Sequence, residues 1–572
     1  MKLGRKNVKK SIFVMFFIMM KFKTILFLFL LPLFGLVSAQ QTVVPKYEYR
    51  AVWLTAIENL DWPRTLAVSP SSVAEQKKEL LYILDSLQVM NVNTVLLQTR
   101  VRGDLVYQSE LEPFSAVFTG VEDRWPGYDP LGFAIEECHK RGMHLHAWLV
   151  TMPLGKDEHI RMLGNKALPH RNRSLCTHYD GAWYMEPGNP ATSGYIVSIV
   201  KEIVERYNVD GIHLDYVRYP DRNDGYPDRS LYRKYGKGLS LADWRKSNIT
   251  RIVKDVYDCV KSIKPWVRVS CATLGKYDNL TRYSSLGWDA LNTGFQEAQQ
   301  WMQDGIVDII FPMLYFSGNN FYPFVRDWQE NSYGRHVVPG IGAYRLLPEY
   351  GGWKPLELMR QLNTSRSVGT AGTAMFRAEH LMGCASDVYN CVYRTPALVP
   401  PMLWCGKGPE SPVDLKFELQ PCAVVLQWGS VAPVCGEPSL RYNVYGCAGA
   451  SVDVSNPENL LACLVDTTSF VWHNPVDGMC SFAVTTVDAY GVESEPVKVL
   501  YTPDVGFGKE INLPAFQSWG MKMEVLDVYG RRLYYGGCAK RVGVAGLQSG
   551  CYILNVYDRY GALVYTHRFV VG

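Results

Sequence analysis

The chain has 572 residues, too many for one ordinary domain, and its 47% hydrophobic and 20% charged content is globular, which excludes a disordered chain, a collagen and a coiled coil. The formal charge of +4 is set by residues 1–39, which carry seven basic side chains and no acid; the remainder holds 52 basic against 55 acidic residues, without the basic surplus of a nucleic-acid binder. Aromatic residues reach 13%, enough for large cores and also for stacking against sugar rings.

Residues 1–39 read as a signal peptide. Lys21 and Lys23 precede the apolar run 25–37, which ends in Val37-Ser38-Ala39, a small-residue cleavage site. Met20 also opens a compact signal by itself, and an uncleaved anchor is the alternative. No later stretch reaches the roughly 18 apolar residues of a membrane span. The mature chain is therefore expected to be exported, to the periplasm, the surface or the medium, and soluble or peripheral to a membrane or cell surface. Its 14 Cys are scattered, without paired CxxC motifs, and most read as buried small hydrophobes. The sequence sets no oligomeric state.

From 47 to 396 short apolar runs alternate with helical patterns. Strands are predicted at 49–56, 94–100, 144–150, 211–216, 267–273, 308–314, 337–343 and 372–376. Between them lie stripes of helical period, such as Leu80, Ile83, Leu84 and Leu87, or Ile249, Ile252, Val253, Val256 and Val260. Eight strand–helix units predict an α/β fold closed into a (β/α)8 TIM barrel. The competing open doubly wound sheet usually carries a Gly-rich phosphate turn after its first strand, and none is present.

In such a barrel the site lies at the C-terminal ends of the strands, and alternate residues of each strand point inward. The fourth strand runs Val209-Asp210-Gly211-Ile212-His213-Leu214-Asp215-Tyr216-Val217-Arg218. It places His213 and Asp215 on the inner face, with Arg218 following to pair with a carboxylate or a substrate oxygen. A purely structural Asp215–Arg218 ion pair is the alternative. The third strand puts His144, His146 and Trp148 on one face. His146 and Trp148 read as sugar contacts; a metal reading of the histidines lacks a matching carboxylate. Arg100 at the end of the second strand, Trp62 beyond the first, on the barrel's upper rim, and Tyr315 beyond the sixth complete the predicted substrate-binding set. Asp215 is the first candidate acid at this end; Glu379, after the eighth strand, is the candidate second acid, with Glu58, Asp104 and Glu186 as rivals. No cofactor and no metal are implied.

Beyond Pro400-Pro401 and the 406–412 linker the pattern turns all-β. Trp428 and the run 482–488 resemble a fibronectin type III module over 412–501. Within 515–572, the runs 528–531 and 546–552 resemble the C-terminal sorting domain of type nine secretion in Bacteroidetes, a small β-sandwich without sorting role being the alternative.

The ordered series Ala51-Val52-Trp53-Leu54-Thr55, Leu60-Asp61-Trp62-Pro63, Asn93-Thr94-Val95, Gly127-Tyr128-Asp129-Pro130-Leu131, Arg141-Gly142-Met143, Glu186-Pro187-Gly188 and Val209–Tyr216 resembles the family-10-like glycosyl hydrolases, over most of 47–394. The resemblance implies a (β/α)8 fold and hydrolysis of glycosidic bonds in a polysaccharide, for some relatives the glycan strands of peptidoglycan; most glycosidases need two carboxyl groups, which makes Asp215 the expected nucleophile or base and Glu379 the expected acid. Relatives often carry an acid one position before Glu379, where this chain has Ala378. A non-catalytic glycan-binding surface protein is the alternative from another class. A metal-dependent deacetylase would need a His/Asp ligand set that the sequence does not present.

Overall fold

In a computed structural model, residues 44–420, 423–433, 436–472 and 480–501 are described, together with 510–512, 521–537, 541–543, 547, 550–558 and 561–571 of the C-terminal segment. The predicted signal peptide at 1–39 lies outside them.

Eight parallel strands close into a barrel. They are β1 (Tyr49–Leu54), β2 (Thr94–Arg100), β3 (His144–Val150), β4 (Gly211–Asp215), β5 (Arg268–Leu274), β6 (Ile309–Met313), a divided β7 (His336–Val337 and Gly340–Gly342) and β8 (Gly372–Phe376). Each pairs with the next, and β8 returns to β1 with Tyr49 opposite Gly372. The sequence predicts β7 as one run; Pro339 has no N–H for the ladder and divides it.

Four long helices begin at a capping residue, followed in the first three by proline. Ser69 accepts from the N–H of Ser72 ahead of α1 (Pro70–Val89). Asp129 caps α2 (Pro130–Lys140) through Gly132, and Asn189 caps α3 (Pro190–Arg206) through Ala191. The 23-residue helix α4 (Leu241–Ile263) starts at Ser240, bonded to Asp243 N–H at 3.1 Å.

Strand alternation then sorts the core. Leu145, Ala147, Leu149, Ile212 and Leu214 face outward into one cluster with the helical stripes. Ala51, Trp53, Leu96, Trp148, Phe311 and Ala374 fill the barrel. Trimming fully buried Leu214 to Ala would cost about 2–5 kcal/mol. Gly211 is required where it stands: a Cβ there would lie 2.6 Å from the His146 ring.

The N-terminal end of the barrel is closed by the following segment. Arg268, at the start of β5, donates to Tyr49 Oη at 3.1 Å and to the carbonyls of Pro400 and Tyr490. Seven antiparallel strands between Val413 and Tyr501 form a three-stranded and a four-stranded sheet around Val424, Leu426, Trp428, Tyr442, Val444, Phe482 and Val484. A further four-stranded sheet runs from Lys522–Asp527 to Leu563–Val571.

Candidate active site

Between β3 and β4 lies a small antiparallel sheet the sequence did not reveal, of Pro153–Lys156, Ala182–Met185 and Cys176–Tyr179. Its strands are four residues long, too short for a periodic signal. It walls a cavity of about 580 Å³ at the C-terminal end of the barrel, where Trp183 and Tyr184 face Tyr216 and Arg218 across the opening.

Asp215 ends β4 and is 5% exposed. Its Oδ2 accepts the indole N–H of Trp148 at 3.0 Å and its Oδ1 the N–H of Tyr216 at 2.7 Å. Its carbonyl is held by the N–H and hydroxyl of Thr151. Burial raises the Asp215 carboxyl above its usual value, while Arg218, the two donors and Arg102 pull the other way. Tyr216 turns the chain off the strand at φ +52°, a left-handed conformation that costs a non-glycine residue about 1 kcal/mol or more. The Arg218 guanidinium stacks 4.3 Å over the Tyr216 ring, and that of Arg102 lies 5.7 Å from it. Arg218 forms its ion pair with Asp221, at 3.2 Å.

Trp148 thus reaches Asp215 directly. Tyr315 lies near Asp215 but does not line the cavity: its ring packs on Phe376 and Tyr344, and burial with the Asp215 charge holds its phenol protonated. His213 and His146 sit below, fully buried. His213 is bonded to the Trp53 indole at 3.2 Å and to Ser270 at 3.0 Å, and burial lowers both imidazoles to about 3. They are neutral filling of the barrel and do not line the cavity.

Arg100 and Trp62 lie elsewhere than their positions in sequence suggest. The register of β2 against β3 slips at Thr99, so that Gln98 pairs with Trp148 but Arg100 with Leu149. This bulge turns Arg100 to the outer face. There it forms a buried bidentate pair with Glu112, at 2.7 and 2.6 Å. Trp62 does not reach the rim. Asp61 accepts the N–H of Thr55 at 2.8 Å and folds the chain back, so Trp62 packs edge-on against Phe118 and donates to the Gln76 carbonyl.

Glu379 is ion-paired with Arg377 at 2.7 Å and Arg64 at 2.9 Å, its side chain 42% exposed. Burial raises its carboxyl, but the two guanidiniums outweigh that and hold it below its usual value, opposite to what a proton donor requires. Of the rivals, Glu186 is buried and capped by Thr177 and Gly188, outside the cavity lining. Glu58 and Asp104 line the cavity, as do Glu122, His159 and Arg102, which the sequence reading had not singled out. Arg102, Asp104 and Glu122 lie in loops, and Glu58 and His159 in short helices of three and seven residues, where no period marks them. Among the described residues no group of three or more His, Cys, Asp or Glu converges as a metal ion would need.

Comparison with known proteins meets the same barrel. Residues 48–339, just over half of the chain, match the family model described as Glycosyl hydrolase-like 10. The chain belongs to that family. Glycosyl hydrolase YngK of Bacillus subtilis (strain 168) is 31% identical over 395 residues, 64% of this chain and 76% of the relative. Glycosyl hydrolase DigH of Escherichia coli (strain K12) is 32% identical over 380 residues, 60% of this chain and 85% of the relative. The family match spans β1 to the first piece of β7, and so contains Asp215, Trp148, Tyr315 and the cavity of this glycosyl hydrolase-like 10 barrel.

Proposed function

We propose that the protein is an exported glycoside hydrolase that cleaves glycosidic bonds of a polysaccharide, with Asp215 as nucleophile or base. The observation that carries this reading is the buried Asp215 at the C-terminal end of β4. Both its oxygens accept a hydrogen bond, so it is built to act as a carboxylate, and the next residue, Tyr216, lines an aromatic-walled cavity of about 580 Å³. Trp148 and the Tyr216 N–H orient the carboxylate; Trp183, Tyr184 and Tyr216 line the cavity with rings for sugars; Arg218 and Arg102 donate to hydroxyl or carboxylate oxygens.

The resemblance of the barrel motifs extends the proposal to peptide-free peptidoglycan strands as one substrate. The seven strands over 413–501 are read as a fibronectin type III-like module, and the segment after 515 as a sorting-like domain that follows an N-terminal signal. A second reading, a glycan-binding protein without turnover, is favoured by one observation: Glu379, the acid expected from sequence, is locked between two arginines.

The test is incubation of residues 40–572 with a panel of glycans that includes peptide-free peptidoglycan strands, read by mass spectrometry. New reducing-end fragments support hydrolysis. Retention of a glycan without fragments supports the second reading.

A further inference from the structure

Asp215 lacks a proton-donating counterpart if Glu379 is held as an anion, and the cavity itself supplies a better candidate. Glu122 lies in the long loop between β2 and α2, its side chain 19% exposed. Its Oε2 is buried and has no hydrogen-bond partner among the described residues. Its Oε1 is 3.9 Å from Nδ1 of His159, and Asp104 Oδ1 is 3.9 Å from Nε2 of the same ring. Asp104, almost fully buried, also accepts the N–H of Arg102 at 2.7 Å. One imidazole, whose Nε2 also lies 3.1 Å from the Arg102 carbonyl, therefore stands between two carboxyl groups; each has a backbone donor, Arg102 for Asp104 and Ala116 for Glu122, but Glu122 keeps one bare oxygen. On a further wall of the cavity Arg218, 95% buried by its 5% exposure, has an Nε with no hydrogen-bond partner. These unmet polar atoms point to a polar ligand between them.

A buried carboxylate oxygen without a donor is costly, whereas a carboxylic acid there has a proton to give. We propose that Glu122 is the proton donor to the leaving glycosidic oxygen, and that Asp104 and His159 are positioning residues for it. The inference rests on the hydrolase reading above. In the step, the Oε2–H proton passes to the glycosidic oxygen as the C1–O bond breaks. The electron pair of that bond stays on the oxygen, which leaves as a hydroxyl. Water supplies the oxygen that C1 receives, directly or after a covalent bond to Asp215, and its proton restores the carboxyl pair. One water is consumed per bond. Burial and the Asp104 charge raise the Glu122 carboxyl above its usual value, against the opposing His159 ring and the Ala116 backbone N–H. The other charged groups facing the same cavity are Glu58, Arg102, Lys156, Glu158 and Asp221.

The experiment compares Glu122→Gln and Asp215→Asn in the full mature chain on two substrates. One is the glycan that the wild type cleaves; the other is a dinitrophenyl glycoside of the released oligosaccharide, whose leaving group needs no protonation. Glu122→Gln is expected to lose about a hundredfold or more on the glycan and less than about tenfold on the aryl glycoside, with the alkaline limb of the pH profile gone. Asp215→Asn is expected to lose both activities. Equal losses of Glu122→Gln on both substrates, or none on the glycan, overturn the assignment. Glu122→Asp, which keeps the acid, is expected to recover part of the glycan activity and to shift the alkaline limb; a Glu122→Asp variant with an unshifted alkaline limb overturns the assignment even where Glu122→Gln fails to fold. A wild type that cleaves no glycan defeats the hydrolase reading, and this inference with it.

Discussion

Replacing Asp215 by Asn keeps the side chain's shape and removes its charge and basicity. If Asp215 attacks C1 or activates water, turnover falls by at least about a hundredfold, close to 2.7 kcal/mol of barrier. The effect on stability follows from the hydrogen bonds. An amide has one acceptor oxygen, so either the Trp148 indole N–H or the Tyr216 N–H comes to face an NH2 group. Losing that bond costs about 1 kcal/mol, and up to about 3 if the donor is left dry. The opposing effect is the removal of a buried charge. Burial raises the folded-state carboxyl, so the stability tied to its protonated form is present at low pH and lost as pH rises through the raised value. Above that pH the Asn variant regains what the wild type has lost, and the net change stays within about 2 kcal/mol. A structural partner of Arg218 would behave otherwise, since breaking a buried pair costs about 3–5 kcal/mol; but Arg218 keeps Asp221 at 3.2 Å. The assay pairs reducing-end release with thermal melting of the same preparation. A stable, fully active Asp215→Asn, or one that melts far lower while its folded fraction keeps full turnover, would refute the reasoning.

Trp148→Phe removes one donor from Asp215 and is expected to raise its carboxyl further, moving the acid limb of the pH–activity profile upward by about one unit; a limb that stays in place contradicts the contact. Glu493, in the segment behind the barrel, takes Lys46 at 2.5 Å and hydrogen bonds from Asn443, Tyr445, Thr485 and Tyr47. Burial raises it but these partners hold it below its usual value, so its contribution is present above the ordinary Glu range and lost as pH falls through the lowered one. Glu493→Ala is expected to cost about 3–5 kcal/mol and to separate the melting of the β-strand segment from that of the barrel, seen by calorimetry as two transitions. Arg100→Met is expected to lower stability by several kcal/mol through the unpaired Glu112 while KM for the cleaved glycan is kept, which a sugar-binding arginine would not allow.

Much of the barrel was legible because its strands are continuous apolar runs. The segments 94–100, 144–150 and 372–376 are strands over the predicted residues, and Asp215 stands at the end of β4 because period two and a parallel strand put it there. What was hidden depends on geometry that leaves no periodic trace. A one-residue slip opposite Trp148 and Leu149 turns Arg100 from inside to outside. The Asp61 side chain, by accepting the Thr55 N–H, draws Trp62 into the outer core. The four-residue strands of the inserted sheet carry Trp183 to the cavity, and a loop without regular structure brings Glu122 there. Glu379 reads as an acid at the right strand end; only its two arginines show what holds it.

The most direct test of the account is cleavage of a glycan by the mature chain in oxygen-18 water. The account requires one labelled oxygen at the reducing end of each new fragment, and loss of that label with Asp215→Asn. Tight binding of the same glycan with no labelled fragment, by wild type and variant alike, would contradict it.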